Sequence, residues 1–207
     1  MHKVSINCHS SICIDEDIYI DPFNIKEKIG NARLVFVTHD HYDHYDLESI
    51  KNVINNETII ISIKSVVDSL KEHNISNRMI VVESNNNFDV DGVSVETIPS
   101  YNVGHHHFRE LGYVAYVLNI EGVRYLICGD SDDTVELESV DCDVLFVPIG
   151  GTYTMDYKEA AHLANTIHPS IVVPTHYNCL DGVGTKEDEK KFVELLDDGI
   201  ECKIFIM

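Results

Sequence analysis

Between Thr38 and Tyr45 the chain reads Thr38-His39-Asp40-His41-Tyr42-Asp43-His44-Tyr45, which puts three histidines and two aspartates inside six residues. Neutral imidazole and carboxylate together suit zinc, manganese or iron. His39 and His41 are two apart, so in an extended backbone they face the same way. Asp43 and His44 follow where the chain turns, and can reach a second position next to the first. Another histidine group, His105-His106-His107, follows Tyr101-Asn102-Val103-Gly104 and precedes Phe108-Arg109. Asp130 falls in Gly129-Asp130-Ser131-Asp132-Asp133, and His176 in Pro174-Thr175-His176-Tyr177. No Gly-x-Ser-x-Gly occurs, so no serine nucleophile is signalled.

Each of these polar stretches follows an apolar run. Leu34-Val35-Phe36-Val37 runs straight into Thr38, and reads as a buried strand that fixes the backbone under the cluster. Ahead of it, Ile12-Cys13-Ile14 and Ile18-Tyr19-Ile20 flank Asp15-Glu16-Asp17 and predict a hairpin that ends at Asp21-Pro22. Thr58 to Ile63 predicts a buried strand, Val66, Val67 and Leu70 a helix that fades at His73-Asn74, and Met79 to Val82 a short strand. A half-exposed strand through Val93 and Val95 stops at Pro99. Strands 113–120 and 123–128 are joined by the turn Glu121-Gly122. Val144 to Val147 predicts another strand. Asp156 with Glu159 forms a capping box for a helix that buries Ala160, Leu163, Ala164 and Ile167 and stops at Pro169. Ile171 to Val173 leads into the His176 stretch. Thr185 caps a last helix bearing Phe192, Leu195 and Leu196, and Ile204 to Ile206 is expected as the final strand. Grouped strands with single intervening helices predict two packed sheets with helices outside.

The 207 residues make one ordinary domain, taken as 1–207. With 44% hydrophobic and 24% charged residues the composition is that of a soluble globular protein. No apolar run is long enough to span a membrane and the start is not a signal peptide, so the expected place is cytoplasmic. The six cysteines show no Cys-x-x-Cys pair and are expected as free thiols in a reducing compartment. A formal net charge of −20 without any basic run disfavours a nucleic-acid partner. A small-molecule substrate is expected, and the oligomeric state is left open.

The pattern His39-x-His41-x-Asp43-His44 resembles the signature of the metallo-β-lactamase superfamily. Gly129-Asp130-Ser131-Asp132 resembles its Gly-Asp-Thr-Asp turn, and Pro174-Thr175-His176-Tyr177 its last histidine motif. Ile98-Pro99-Ser100-Tyr101-Asn102 and Thr152-Tyr153-Thr154-Met155-Asp156 are similar to the small cytoplasmic branch that includes the L-ascorbate phosphate lactonases. The resemblance implies an α/β (α+β) fold, a four-layer αββα sandwich of two packed mixed sheets with helices outside. It implies two divalent metal ions, zinc first with manganese or iron as alternatives. His39 and His41 would hold the first; Asp43, His44 and His176 the second; Asp130 would join them. Asp21 would support the cluster from behind, as carboxylates do for ligating imidazoles; opening a turn before Pro22 is its other reading. Where many members carry Gly-His, this chain has Tyr101-Asn102, so the first metal needs another ligand: His105, His106, His107 or Asn102. His107 is preferred, being nearest the following strand, and imidazole is a better zinc ligand than an amide oxygen.

The implied activity is metal-dependent hydrolysis of a small ester, lactone, amide or phosphodiester by a hydroxide shared between the metals, with Asp43 and Asp130 as catalytic carboxylates. Tyr101, Asn102, Arg109 and Tyr177 are the substrate-binding candidates, Arg109 because it can meet a phosphate or carboxylate. A nuclease, a di-iron redox protein and a non-catalytic metal-binding protein are the competing readings. Of the remaining histidines, His2, His9, His73, His162 and His168 are read as tail, loop or helix-surface residues, His9 being the one least readily set aside.

Overall fold

Ile12-Cys13-Ile14 and Ile18-Tyr19-Ile20 pair antiparallel, with Ile14 opposite Ile18, and all four isoleucines are buried on one face. The structure is a computed structural model that describes residues 2–104 and 106–206. The chain divides into two compact units, Met1–Glu83 and Ser84–Met207. Each unit carries one mixed sheet.

In the first unit, β1 (Val4–Ile6), β2 (Ile12–Ile14) and β3 (Ile18–Ile20) form an antiparallel meander. Then β4 (Ala32–Val37), β5 (Ile54–Ser62) and β6 (Arg78–Val81) add on in parallel, in the order β1-β2-β3-β4-β5-β6. Strand β4 is central and parallel on both sides. Its Leu34, Val35, Phe36 and Val37 are fully buried, the continuous apolar run expected of such a strand. Two helices form the crossovers. The first is α1 (Leu47–Val53), capped by the Asp46 side chain, and the second is α2 (Lys64–Glu72), whose buried residues are Val66, Val67 and Leu70.

The second unit repeats that plan in a longer form. Strands β7 (Asn87–Val90), β8 (Val93–Pro99), β9 (Val114–Ile120) and β10 (Val123–Ile127) are antiparallel. Strands β11 (Val144–Pro148), β12 (Ile171–Thr175) and β13 (Glu201–Cys202) follow in parallel. Glu121 and Gly122 both take positive φ, +50° and +87°, which lets two residues close the β9–β10 hairpin with the right twist. The short helix α3 (Val135–Glu138) is capped by Thr134. Helix α4 (Tyr157–Ile167) has the Asp156/Glu159 capping box, and α5 (Lys186–Glu194) is capped by Thr185 with Asp188. A short 3-10 turn, Arg109–Leu111, precedes β9.

The structure corrects two sequence expectations and adds two short helices. The last strand is β13, while 204–206 carries no strand. Lys203 N still donates to Val172 O, after which the chain leaves the ladder and Ile204 is exposed. Helices α1 and α3 are too short, at 7 and 4 residues, to show an apolar period in sequence. Cys13, Cys128, Cys142 and Cys202 are free thiols as expected, but Cys8 and Cys179 are disulfide-bonded. Bridging is decided by spatial geometry, which cysteine spacing along a chain does not report.

Candidate metal centre

In the first unit the end of β4 delivers Thr38 and His39 onto a buried carboxylate. Asp21 sits at φ +47° directly after β3 and is fully buried. Its Oδ1 accepts from Thr38 N at 2.8 Å and its Oδ2 from Thr38 Oγ1 at 2.8 Å. The same Oδ2 lies 2.8 Å from His44 Nδ1. Having donated its own proton to Asp21, Thr38 Oγ1 accepts from His39 Nδ1 at 2.9 Å. Both imidazoles therefore carry their proton on Nδ1, which leaves the Nε2 lone pairs as the ligand positions. A tight turn follows, in which His41 O accepts from His44 N and Tyr45 N. It brings the His39 ring centroid within 4.1 Å of His44 and 4.8 Å of His41. His9, on a positive-φ turn between β1 and β2, is fully buried and donates from Nε2 to Asp43 Oδ2 at 3.0 Å. His9, Asp43 and His44 each offer a ligand atom within 4.8 Å of the others.

In the second unit three strand ends contribute. Asp130 follows β10, His176 follows β12, and His107 lies in the loop after β8. His107 is buried and donates from Nδ1 to the Asp130 backbone carbonyl at 3.1 Å, which again leaves Nε2 as the ligand position. His107 and Asp130 present ligand atoms within 4.8 Å of each other, and His176 Nε2 lies 3.2 Å from Asp130 Oδ2. His176 takes φ +57° and lies against Gly150. A Cβ on that glycine would stand 2.6 Å from His176 O and 2.8 Å from its Nδ1, so only glycine leaves the ring its place.

These donors fit divalent metal ions of the zinc, manganese or iron type. Imidazoles alternate with carboxylates, and in His39, His44 and His107 the Nδ1 proton has an oxygen acceptor behind it. Of the histidine triplet, His107 is the buried donor. His106 is exposed and packs edge-on to Tyr153 at 4.8 Å, and His105 lies outside the described residues.

The substrate-binding candidates of the second unit are engaged in other ways. Tyr177 is fully buried and donates to Glu189; burial first, then that carboxylate, pushes its phenol well up. Arg109 pairs with Glu136 and lies 4.9 Å over the Tyr101 ring, while Tyr101 Oη donates to Glu136 at 3.0 Å. Asn102 is buried with its side chain hydrogen-bonded on every side. Two further residues join the site: His9, the loop histidine least readily set aside in the sequence, and Asp132. His9 had only its turn, Cys8-His9-Ser10-Ser11, as a signal, and Asp132 only its place two residues after Asp130. A separate cluster joins Asp133, Glu138 and His162 at the surface of α3 and α4. Among the described residues no helix is long and apolar enough to cross a membrane.

Residues 3–176 match the family model of the beta-lactamase superfamily domain. A UPF0173 metal-dependent hydrolase of Nanoarchaeum equitans is 30% identical over 192 residues, covering 85% of this chain and 84% of that protein. A protein of Parabacteroides distasonis described as a metal-dependent hydrolase superposes with a TM-score of 0.81 at 24% identity, over 99% of this chain and 93% of that one. A Thermotoga maritima protein described as a Zn-dependent hydrolase of the metallo-beta-lactamase superfamily gives 0.64 at 19% identity, over 97% and 96%. At these identities the structural likeness speaks for the fold alone.

Proposed function

Because the chain belongs to the metallo-β-lactamase superfamily, we propose that its two sets of donors hold two divalent metal ions, zinc first, for hydrolysis of a small ester, lactone, amide or phosphodiester. By its relatives the chain is a metal-dependent hydrolase with the superfamily's fold of two mixed sheets and few helices. In this proposal 1–207 works as one domain, with His39, His41 and His107 on one metal, Asp43, His44 and His176 on the other, and Asp130 serving both. A small-molecule substrate and a cytoplasmic setting complete the proposal.

What supports it above all is the fixing of ring nitrogens. His39, His44 and His107 each commit Nδ1 to an oxygen, through Thr38, Asp21 and the Asp130 carbonyl respectively. A surface loop rich in histidine has no reason to bury its imidazoles and fix their tautomers alike. When bound, such a metal pair lowers the pKa of a water toward ~7 and polarises the scissile group. The chain's own part is to orient. Asp21 holds His44 and Thr38, and His9 holds the Asp43 carboxylate on its Oδ2 side. Asp130, one of whose oxygens lies beside His176 Nε2, would be the carboxylate that hands a proton between nucleophile and leaving group.

The test is a panel of lactones, thioesters and phosphodiesters, run with and without chelator on protein purified without added metal and assayed for metal content. Chelator-sensitive turnover of one class by protein holding two equivalents of metal is expected. Metal-free protein with full turnover overturns the reading, and so does metal-loaded protein that turns over nothing in the panel.

A further inference from the structure

We propose that Asn102 is a positioning residue that aims His107 at its metal, with Asp132 as the anchor; this rests on the reading of His107 and Asp130 as metal donors. Asn102 is 3% exposed, too enclosed to meet a substrate. Its Nδ2 donates to the Asp130 backbone carbonyl at 3.0 Å and to Asp132 Oδ1 at 2.9 Å. Its Oδ1 accepts from His107 N at 3.1 Å, and its own backbone N donates to His107 O at 2.7 Å. The Asp130 carbonyl that receives Nδ2 also receives His107 Nδ1 at 3.1 Å. One amide thus holds the main chain of His107 and shares the carbonyl that orients its ring.

Asp132 ties this arrangement to the rest of the loop. It is 7% exposed, its Oδ2 accepts from Val103 N at 2.8 Å, and its N donates to Tyr101 O at 2.9 Å. Ser131 Oγ also donates to Tyr101 O at 3.2 Å. The loop after β8 and the turn after β10 are therefore stitched together at the two residues that flank the His107–Asp130 contact. The chemistry demands a side chain with two donors and one acceptor on a short stem. Only asparagine supplies it, since glutamine adds a methylene and aspartate removes both donors. Leaving Asp132 Oδ1 and the Asp130 carbonyl without this donor, in a buried place, loosens the loop that carries His107.

The experiment measures cobalt(II) and zinc affinity by equilibrium titration, together with the cobalt absorption spectrum and the melting point of metal-free protein. The variants are Asn102→Ala, His107→Ala, the double variant, Asn102→Asp, and Asn102→Asp with Asp132→Asn. Asn102→Ala is expected to weaken one of two metal equivalents by ~10–100-fold and to change the cobalt spectrum. His107→Ala should weaken the same equivalent at least as much, and the double variant should bind no worse than His107→Ala alone. Asn102→Asp faces Asp132 with a second carboxylate, and Asp132→Asn then restores a donor–acceptor pair of reversed polarity, so the pair should recover part of the lost affinity. That recovery decides the matter even where Asn102→Ala fails to fold. Wild-type affinity and spectrum in Asn102→Ala, beside a His107→Ala variant that loses a metal, overturns the inference and leaves the functional reading intact. An additive double variant, or a swapped pair no better than Asn102→Asp, overturns it as well. Two metals held at wild-type affinity by His107→Ala overturns the reading of His107 itself, and the inference with it.

Discussion

In the first unit His39, His41, Asp43 and His44 come from six consecutive residues, and one buried carboxylate, Asp21, orders two of them. In the second unit His107, Asp130 and His176 come from three separate strand ends. There the ordering is shared among Asn102, a backbone carbonyl and the cleft that Gly150 leaves for His176. Both units use the same plan, a meander continued by parallel strands, with donors at strand ends. The local cluster hangs on one anchor, so a single change there should disturb several donors. The dispersed set has separate supports, so a change at one should disturb one donor and spare the others.

Asp130 is the exception that gives the largest expected effect. Its carboxylate lies 3.2 Å from His176 Nε2 and within 4.8 Å of a His107 ring nitrogen, so one side chain faces donors that otherwise have separate supports. Asp130→Ala is expected to abolish turnover, by more than the ~10–100-fold that follows loss of an outer partner, and to lower metal content while the metal-free protein still folds. Metal analysis, rate measurement and circular dichroism check this. A variant with both metals and normal turnover makes Asp130 a turn residue and removes the link between the two supports.

Asp21→Asn sharpens the contrast. Asparagine tolerates the φ of +47°, so the turn itself survives. Asparagine keeps only one acceptor oxygen: with that oxygen on Thr38 N its NH2 faces both Thr38 Oγ1 and His44 Nδ1, and turned the other way its NH2 faces Thr38 N. Metal affinity should fall by ~10–100-fold, with both His39 and His44 altered, as histidine NMR of the metal-free protein would report. Were only one ring to move, Asp21 would be no common anchor. Gly150→Ala is the matching change in the second unit. The new Cβ would stand 2.6 Å from His176 O and 2.9 Å from Val183 Cγ1. A destabilisation of ~1–3 kcal/mol is expected by chemical denaturation, with a smaller loss of metal affinity than in Asp21→Asn, and with the His107 resonances unmoved.

The same contrast explains what was legible in the sequence. The cluster at 39–44 announced itself because its donors are contiguous and follow four buried residues of β4. The hairpin turn Glu121-Gly122 and the caps Asp156 and Thr185 were legible because they are local. Asp130 and His176 were found through resemblance to a family rather than through spacing. By sequence His9 looks like a loop residue, because its partner, Asp43, is distant in the chain and the pairing of β1 with β2 shapes the turn on which it sits. By sequence Asn102 reads as a ligand or substrate contact. Its hydrogen bonds run to Asp130 and Asp132, which no local pattern connects to it. Arg109 is near a motif in sequence, whereas its pairing with Glu136 depends on where α3 lies.

The smallest expected effect lies at the rim of the second unit, in the group that no donor set uses. His162 on α4 meets Asp133 Oδ2 at 2.5 Å and comes within 4.0 Å of Glu138 Oε1. The hydrogen bond to Asp133, then its charge, holds the imidazole above its ordinary value. Asp133 is itself raised, because burial of its carboxylate outweighs the hydrogen bond and charge of His162. The two shifts describe different things: attraction at the exposed ring, and burial at the carboxylate. A histidine whose folded value is raised binds its proton more tightly when folded. Its stabilisation is fully present below its unfolded value of about 6.5 and is lost as pH rises through the folded value. At the acid end the contact fades once Asp133 takes up its own proton. The His162 side chain is 65% exposed, so solvent screens the pair heavily. His162→Ala should therefore lower the melting point by only about 1–2 °C near pH 6, with the difference from wild type vanishing once pH has risen past the raised folded value, and it should leave metal affinity unchanged. Melting curves at several pH values, with metal content measured alongside, check both parts. A difference that grows as pH rises would reverse the sign and show that His162 supports the fold as a neutral ring. A loss of metal would place the Asp133–His162 contact among the supports of the donor set, and the second unit would then be less compartmented than its separate strand ends suggest.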